Sequence, residues 1–299
     1  PALRAKHLHG GAYIGVGPDQ NFTYIAESRP AIAFIVDIRR DNLLLHLLFK
    51  ALFQQAHTRI EYLALLFGRP VPAAIEAWRT APVERLARYI DDNRAGDAAA
   101  IHARMDQAIK AFGVPLSSDD LRTIAAFHQR FAEAGLSLQF QSTGRPPQRD
   151  YPTYRDLLLD TDSAGRQSNF LASEESFQFV RGLEVQDRVI PVVGDLSGPS
   201  ALAAIGKRLA SRGEALSVFY ASNVEFYLFR DGSFPRFVGN LRQVPHAPGS
   251  VIIRSIFGRF GMTSRPGDNS ASQLQGIDDL LNAQAAGRIR GYSDVISGR

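Results

Sequence analysis

The sequence contains no cysteine. That excludes disulfides, thiolate metal ligands and cysteine nucleophiles, and the reading places the protein in the cytoplasm. No apolar run reaches the roughly 18 residues that cross a bilayer, so no membrane span is expected. Nothing at the start has the pattern of a signal peptide. The chain begins at Pro1 rather than Met, which leaves room for a removed upstream segment, a targeting one included. Lysine is scarce, with only Lys6, Lys50, Lys110 and Lys207 among 34 basic residues. The net charge is +4, but the cations are scattered and form no stripe interleaved with aromatics. That argues against nucleic acid as a partner. A serine-hydrolase elbow, a phosphate-binding loop ending in Gly-Lys-Ser/Thr and a kinase motif set are all missing. The histidines (His7, His9, His46, His57, His102, His128 and His246) show no paired spacing with a nearby acid, so no metal site is expected.

What remains is an ordinary soluble composition, 45% hydrophobic and 21% charged over 299 residues. Residues 12–16 and 31–38 are nearly all apolar, as in strands covered on both faces. Between them Gln20–Arg29 suits a short crossover helix. Asp41-Asn42 offers an N-cap, and Leu44, Leu47, Leu48, Ala51 and Leu52 follow at helical spacing. Helical patterns continue to about residue 135, and Ser142–Asp162 reads as a loop. An α/β rhythm then returns: a helix at Asn169–Leu183, a strand at Arg188–Asp195, a helix at Ser200–Arg212, and strands at Ala215–Tyr220 and Ser250–Ile256. A short helix at Ile277–Ala286 closes it. The pattern predicts an α/β protein with a mostly parallel sheet, helices on both faces and a large helical insertion after the second strand. The domains expected are 1–41 with 165–299 as the cofactor-binding core, and 42–164 as the mainly helical insertion, whose apolar stretch Leu43–Phe67 is a candidate homodimer face.

Ligands of open parallel sheets bind beyond the carboxyl ends of the strands. Gly15 and Gly17 follow the first strand there, and Asp37 ends the second, 22 residues after Gly15. Glycine lets backbone approach a ligand, and an acid about 20 residues on accepts ribose hydroxyls. The usual third glycine is replaced by a turn with Pro18 and Asn21. Gly194, Asp195 and Leu196 end the third strand, and Asp195 and Leu196 are placed near an adenine ring. Asn223 and Glu225 follow the fourth, beside the reacting end of the cofactor, with Tyr220 lining that region. Glu225 or His46 is the candidate base. Each has a structural alternative: a tight turn for the glycines, and caps or turns for Asp37, Asp195, Asn223 and Glu225. Arg39 and Arg40 suit an anionic substrate, a surface role or an internal salt bridge.

Gly15-Val-Gly17, Asp37, Gly194-Asp195 and Ser222-Asn223-Val-Glu225 together resemble the strand-end motifs of class I S-adenosylmethionine-dependent methyltransferases, over about 1–41 and 165–299. A narrower resemblance is to a family of uncharacterised bacterial proteins, through Gly-Val-Gly-Pro-Asp-Gln-Asn-Phe-Thr-Tyr-Ile, Asp-Ile-Arg-Arg-Asp-Asn-Leu and Phe-Tyr-Ala-Ser-Asn-Val-Glu-Phe-Tyr-Leu. The first resemblance implies a Rossmann-like, methyltransferase-like fold and S-adenosylmethionine as cofactor. It also implies methyl transfer to a small-molecule or unknown acceptor. Two other readings stay open: a non-catalytic nucleoside-binding or interaction/sensor protein, and an NAD-dependent oxidoreductase.

Overall fold

A computed structural model describes residues 3, 6, 8–94, 96, 98–139, 151–162, 164–257 and 270–297. Its contacts divide the chain into two compact units, one of Leu43–Asp187 and one of Ala2–Asn42 with Arg188–Arg299. No helix among the described residues is long and apolar enough to cross a membrane.

The second unit is α/β. Strand β1 (Ala12–Val16) is buried along its whole length, and β2 (Ile32–Asp37) until Asp37. Helix α1 (Gln20–Ser28) joins them. Arg29 ends α1 in a left-handed conformation and its amide returns to Ile25 O. Pro30, which cannot continue a helix, follows. Past the other unit come β3 (Val189–Val193), β4 (Leu216–Ser222), β5 (His246–Phe257) and β6 (Ser270–Gly276). They form one six-stranded sheet in the order β3-β2-β1-β4-β5-β6. Every pairing is parallel except β5 with β6, which is antiparallel. The order runs outward from β1 in both directions, so a topological switch point lies between β1 and β4.

One face of the sheet carries Ile14, Phe34, Phe219 and Ile252 into a core shared with α9 (Ala201–Ser211), α11 (Phe234–Arg242) and α12 (Ile277–Ala285). On the other face Tyr13 bonds to Asn21, and Tyr220 packs on Tyr24, both on α1. Two expectations change here. The stretch after β4, where no helix was expected, holds α10 (Val224–Arg230) and α11, and the sheet gains β6 at its edge. The segment Ser-Ala-Ser-Gln-Leu-Gln-Gly of β6 is polar because an edge strand need not be apolar on both faces.

The unit Leu43–Asp187 is helical. It takes most of α2 (Arg40–Gln55), then α3 (Arg59–Leu66), α4 (Val83–Asp92), α5 (Ala98–Ala111), α6 (Ser118–Ala134), α7 (Tyr154–Leu159) and α8 (Glu174–Val185). Because α2 starts at Arg40, Asp41 lies in its first turn rather than capping it. Helix α6 opens with the capping box expected from its Ser-Ser-Asp-Asp start, Ser117 and Asp120 bonding each other's backbone. Part of the loop expected at 142–162 lies outside the described residues, and the rest contains α7. At the centre Phe53, Tyr62, Phe170 and Phe177 pack with ring centroids 4.6–6.1 Å apart. Arg59 is enclosed beside them. It donates to the carbonyls of Leu171 (3.0 Å), Ala172 (2.9 Å), Arg79 (3.0 Å) and Ala81.

The contact boundary falls after Asp187, against the 164 expected, and the bonds of α8 explain why. Gln178 donates to His57 O (2.6 Å) and Arg181 to Ala56 O (2.6 Å). The Lys50 ammonium donates there to Glu184 O (2.9 Å) and Glu184 Oε2 (3.3 Å) and pairs with Asp187 Oδ1 at 3.1 Å.

Burial pushes the Glu184 carboxyl up to about 7, against the opposing pull of Lys50. The folded chain therefore holds a proton that the unfolded chain has lost above its ordinary value of 4.5. Stability present below that value is lost as pH rises towards 7, by up to about 3 kcal/mol. Urea unfolding of wild type and Glu184→Gln at pH 5 and 7.5 checks this. The wild type should lose stability relative to the variant at the higher pH; a constant difference would contradict it.

Candidate functional site

The turn that leaves β1 is built around Asn21. Its amide nitrogen donates to the carbonyls of Val16 (3.0 Å), Gly17 (3.1 Å) and Pro18 (2.6 Å). Its Oδ1 accepts the Tyr13 hydroxyl at 2.8 Å. Asn42 adds a second donor to Gly17 O at 3.1 Å. Gly15 lies beneath this arrangement. A Cβ there would collide with Asn21 Oδ1 and stand 2.6 Å from the Tyr13 ring. The glycine therefore makes room for the protein's own side chains, the structural alternative to the role expected of it. Gly17 differs. It has φ of 81° and open space where a Cβ would stand, so the turn needs glycine and leaves the backbone approachable.

Asp37 ends β2 beside this turn. Its Oδ1 accepts the amide of Arg39 (2.9 Å), and the Arg39 guanidinium reaches both oxygens at 3.3 and 3.4 Å. The internal salt bridge is thus the role Arg39 takes here. The Arg39 side chain is 42% exposed and that of Asp37 13% exposed, so the pair is half-buried, with the arginine on its outer side. Two apolar side chains flank Asp37. Ile38, the next residue, is 70% exposed, and Val193, its register partner on β3, is 43% exposed.

The third strand end is used internally. Gly194 donates to Asp37 O at 2.9 Å, and a Cβ on it would lie 2.6 Å from that of Ala201, so it admits helix α9. Asp195 accepts the Ser197 amide (2.8 Å) and hydroxyl (2.9 Å), which is the turn-capping role. Leu196 is buried in the core and its carbonyl accepts Asn240 at 3.0 Å. The apolar surface near Asp37 is therefore supplied by Ile38 and Val193, not by Leu196.

At the end of β4, Ser222 takes a left-handed φ of 51°, a conformation that costs a non-glycine residue about 1–3 kcal/mol. Asn223 begins α10 and makes no capping hydrogen bond with its side chain. Glu225 is enclosed and committed to Arg254 of β5, its Oε1 accepting Nη2 at 3.1 Å and its Oε2 accepting Nε. That replaces the role of base expected for it. His46, the other candidate base, is buried in α2 with its ring edge against Phe49. Tyr220 bonds Ser255 at 3.2 Å, and burial pushes its hydroxyl up, together with those of Tyr13 and Tyr24.

The topology therefore gathers Gly17, Asp37, Gly194, Asp195 and Asn223 at the carboxyl ends of adjacent strands. It withdraws Gly15, Leu196 and Glu225 into packing. Ile38 and Val193 enter the site unforeseen, and Ser222, expected only as part of the Ser222-Asn223-Val-Glu225 motif, joins them. The signal for Ile38 was an apolar residue set between an acid and two arginines in a turn. Among the described residues no group of three or more His, Asp or Glu side chains is placed to hold a metal ion.

The filled space beside Gly15 yields a prediction. Gly15→Ala should lower stability by about 1–3 kcal/mol, the cost of overpacking, read as an earlier urea midpoint. An unchanged midpoint would mean the Asn21–Tyr13 arrangement gives way without cost.

No curated protein matches the chain. A family described as a domain of unknown function, DUF7790, matches residues 1–111 and 117–288, and the chain belongs to that family.

Proposed function

We propose that the chain binds S-adenosylmethionine across the carboxyl ends of β1 to β4 and transfers its methyl group to a small-molecule acceptor. The observation that carries the reading is Asp37, an acid at the end of β2 with exposed apolar side chains on both sides, Ile38 and Val193. An acid with apolar neighbours suits a nucleoside: the carboxylate accepts ribose hydroxyls, while Ile38 and Val193 cover the faces of a base. The open Gly17 turn lies across the switch point from Ser222 and Asn223, where the reacting end of the cofactor would sit. With this goes the finer fold reading, a Rossmann-like, methyltransferase-like core carrying the helical unit as an insertion after β2.

The sulfonium already makes the methyl electrophilic, so the protein's part is to place a nucleophile in line. With Glu225 held by Arg254 and His46 buried, the proposal takes no base from either. Ribose hydroxyls would displace the more exposed Arg39 from Asp37, exchanging the ion pair for hydrogen bonds to a charged acceptor.

The sealing of Glu225 also favours a second reading, nucleoside binding without catalysis, in which the helical unit acts as an interaction or sensor module. Both readings share the binding site, and turnover separates them.

Calorimetry with S-adenosylhomocysteine and with NAD tests the proposal. S-adenosylhomocysteine should bind and NAD should not. Asp37→Ala should weaken binding about tenfold or more, because hydrogen bonds to a charged group contribute about 1.5–3 kcal/mol. Ile38→Ser should weaken it less. Absence of binding by both ligands would overturn the reading, and NAD binding alone would turn it towards an oxidoreductase.

A further inference from the structure

Ser222 holds its left-handed conformation at the end of a strand that runs straight into a helix. Such a residue persists only where its surroundings over-determine it. Here two constraints come from one residue. The backbone of Arg254 is the register partner of Ser222, across an irregularity in the β4–β5 ladder. The side chain of the same Arg254 reaches Glu225 in the first turn of α10 through two hydrogen bonds. Ser222-Asn223-Val224-Glu225 is thereby closed into a ring, with strand register at one end and an ion pair at the other.

The pair is not explained by stability. Glu225 and Arg254 are 1% and 0% exposed, and enclosed ion pairs often do no better than apolar residues of the same volume. Among the described residues Arg254 Nη1 has no hydrogen-bond partner, nor has Oε1 of Gln273, its register partner on β6.

We infer that Glu225 and Arg254 are positioning residues. They fix the Ser222–Asn223 turn at the carboxyl end of β4, where the Asn223 amide meets the bound ligand, and Glu225 takes no part in any proton transfer. For the identity of the ligand this inference rests on the reading given under Proposed function.

The test compares the wild-type chain with the apolar double variant Glu225→Leu/Arg254→Met and with Glu225→Gln. Hydrogen exchange of the unliganded proteins is read at 223–226, and S-adenosylhomocysteine binding by calorimetry. The double variant should keep its unfolding midpoint. Its amides at 223–226 should exchange about tenfold faster, those of β1 should be unchanged, and its affinity should fall about tenfold. Glu225→Gln, which keeps the shape and one acceptor oxygen, should lie between. If the double variant does not fold, Glu225→Gln carries the same two readings. Wild-type exchange at 223–226 in a folded variant would overturn the inference, as would unchanged affinity. If the wild type binds no S-adenosylhomocysteine, the cofactor reading falls and the exchange result alone decides the positioning role.

Discussion

One side chain sets the geometry on which the candidate site depends. The Asn21 amide lies under the β1–α1 turn and holds three successive carbonyls, Val16, Gly17 and Pro18, while Tyr13 holds its oxygen. Leaving such buried groups unpaired would cost about 1–3 kcal/mol each, so the turn has little freedom. Its shape requires Gly15 to lack a side chain and Gly17 to be left-handed. The direction of α1 and the openness of the turn both follow. Pro18 fits because the bonds that fix the turn come from carbonyls and from the Asn21 side chain, so a missing amide at that position loses nothing there.

Long cations serve both units as internal staples, and the choice of cation follows the acceptors. Arg59 spreads a planar fork over four carbonyls on two chain segments. Arg254 meets a carboxylate side-on, as a guanidinium does. Lys50 converges on the end of α8 with two hydrogen bonds and an ion pair, and a compact ammonium also suits the negative end of the helix. A chain with no disulfides thus ties distant segments through buried charge. The cost is desolvation, visible in the lowered Arg59 and raised Glu184.

The parallel core was legible because strands buried on both faces need continuous apolar runs, and β1, β2 and β4 have them. Strand β6 was not, since its polar residues carry no such run. The helix over Val224–Arg230 was hidden by aromatics, which favour strands as readily as a buried helix face. Within the site, Asp37 and Gly17 could be placed from strand ends alone. The commitments of the others could not. Glu225 meets a partner 29 residues away inside an apolar strand, and the space at Gly15 is filled by Asn21 from the next element. Such pairings exist only once the sheet has formed. Leu196 misled because an apolar residue after an acid reads the same whether it faces a ligand or the core, whereas Ile38 and Val193 separate from it only by exposure.

The central claim is that a nucleoside occupies the carboxyl ends of β1 to β4 with Asp37 at its ribose. Amide chemical-shift mapping of the isotopically labelled chain, titrated with S-adenosylhomocysteine, tests it most directly. The account predicts saturable shifts centred on Gly17, Asp37, Ile38, Val193 and Asn223, with the helical unit's core around Tyr62 and Phe177 unmoved. Shifts confined to Leu43–Asp187, or none at saturating ligand, would contradict it.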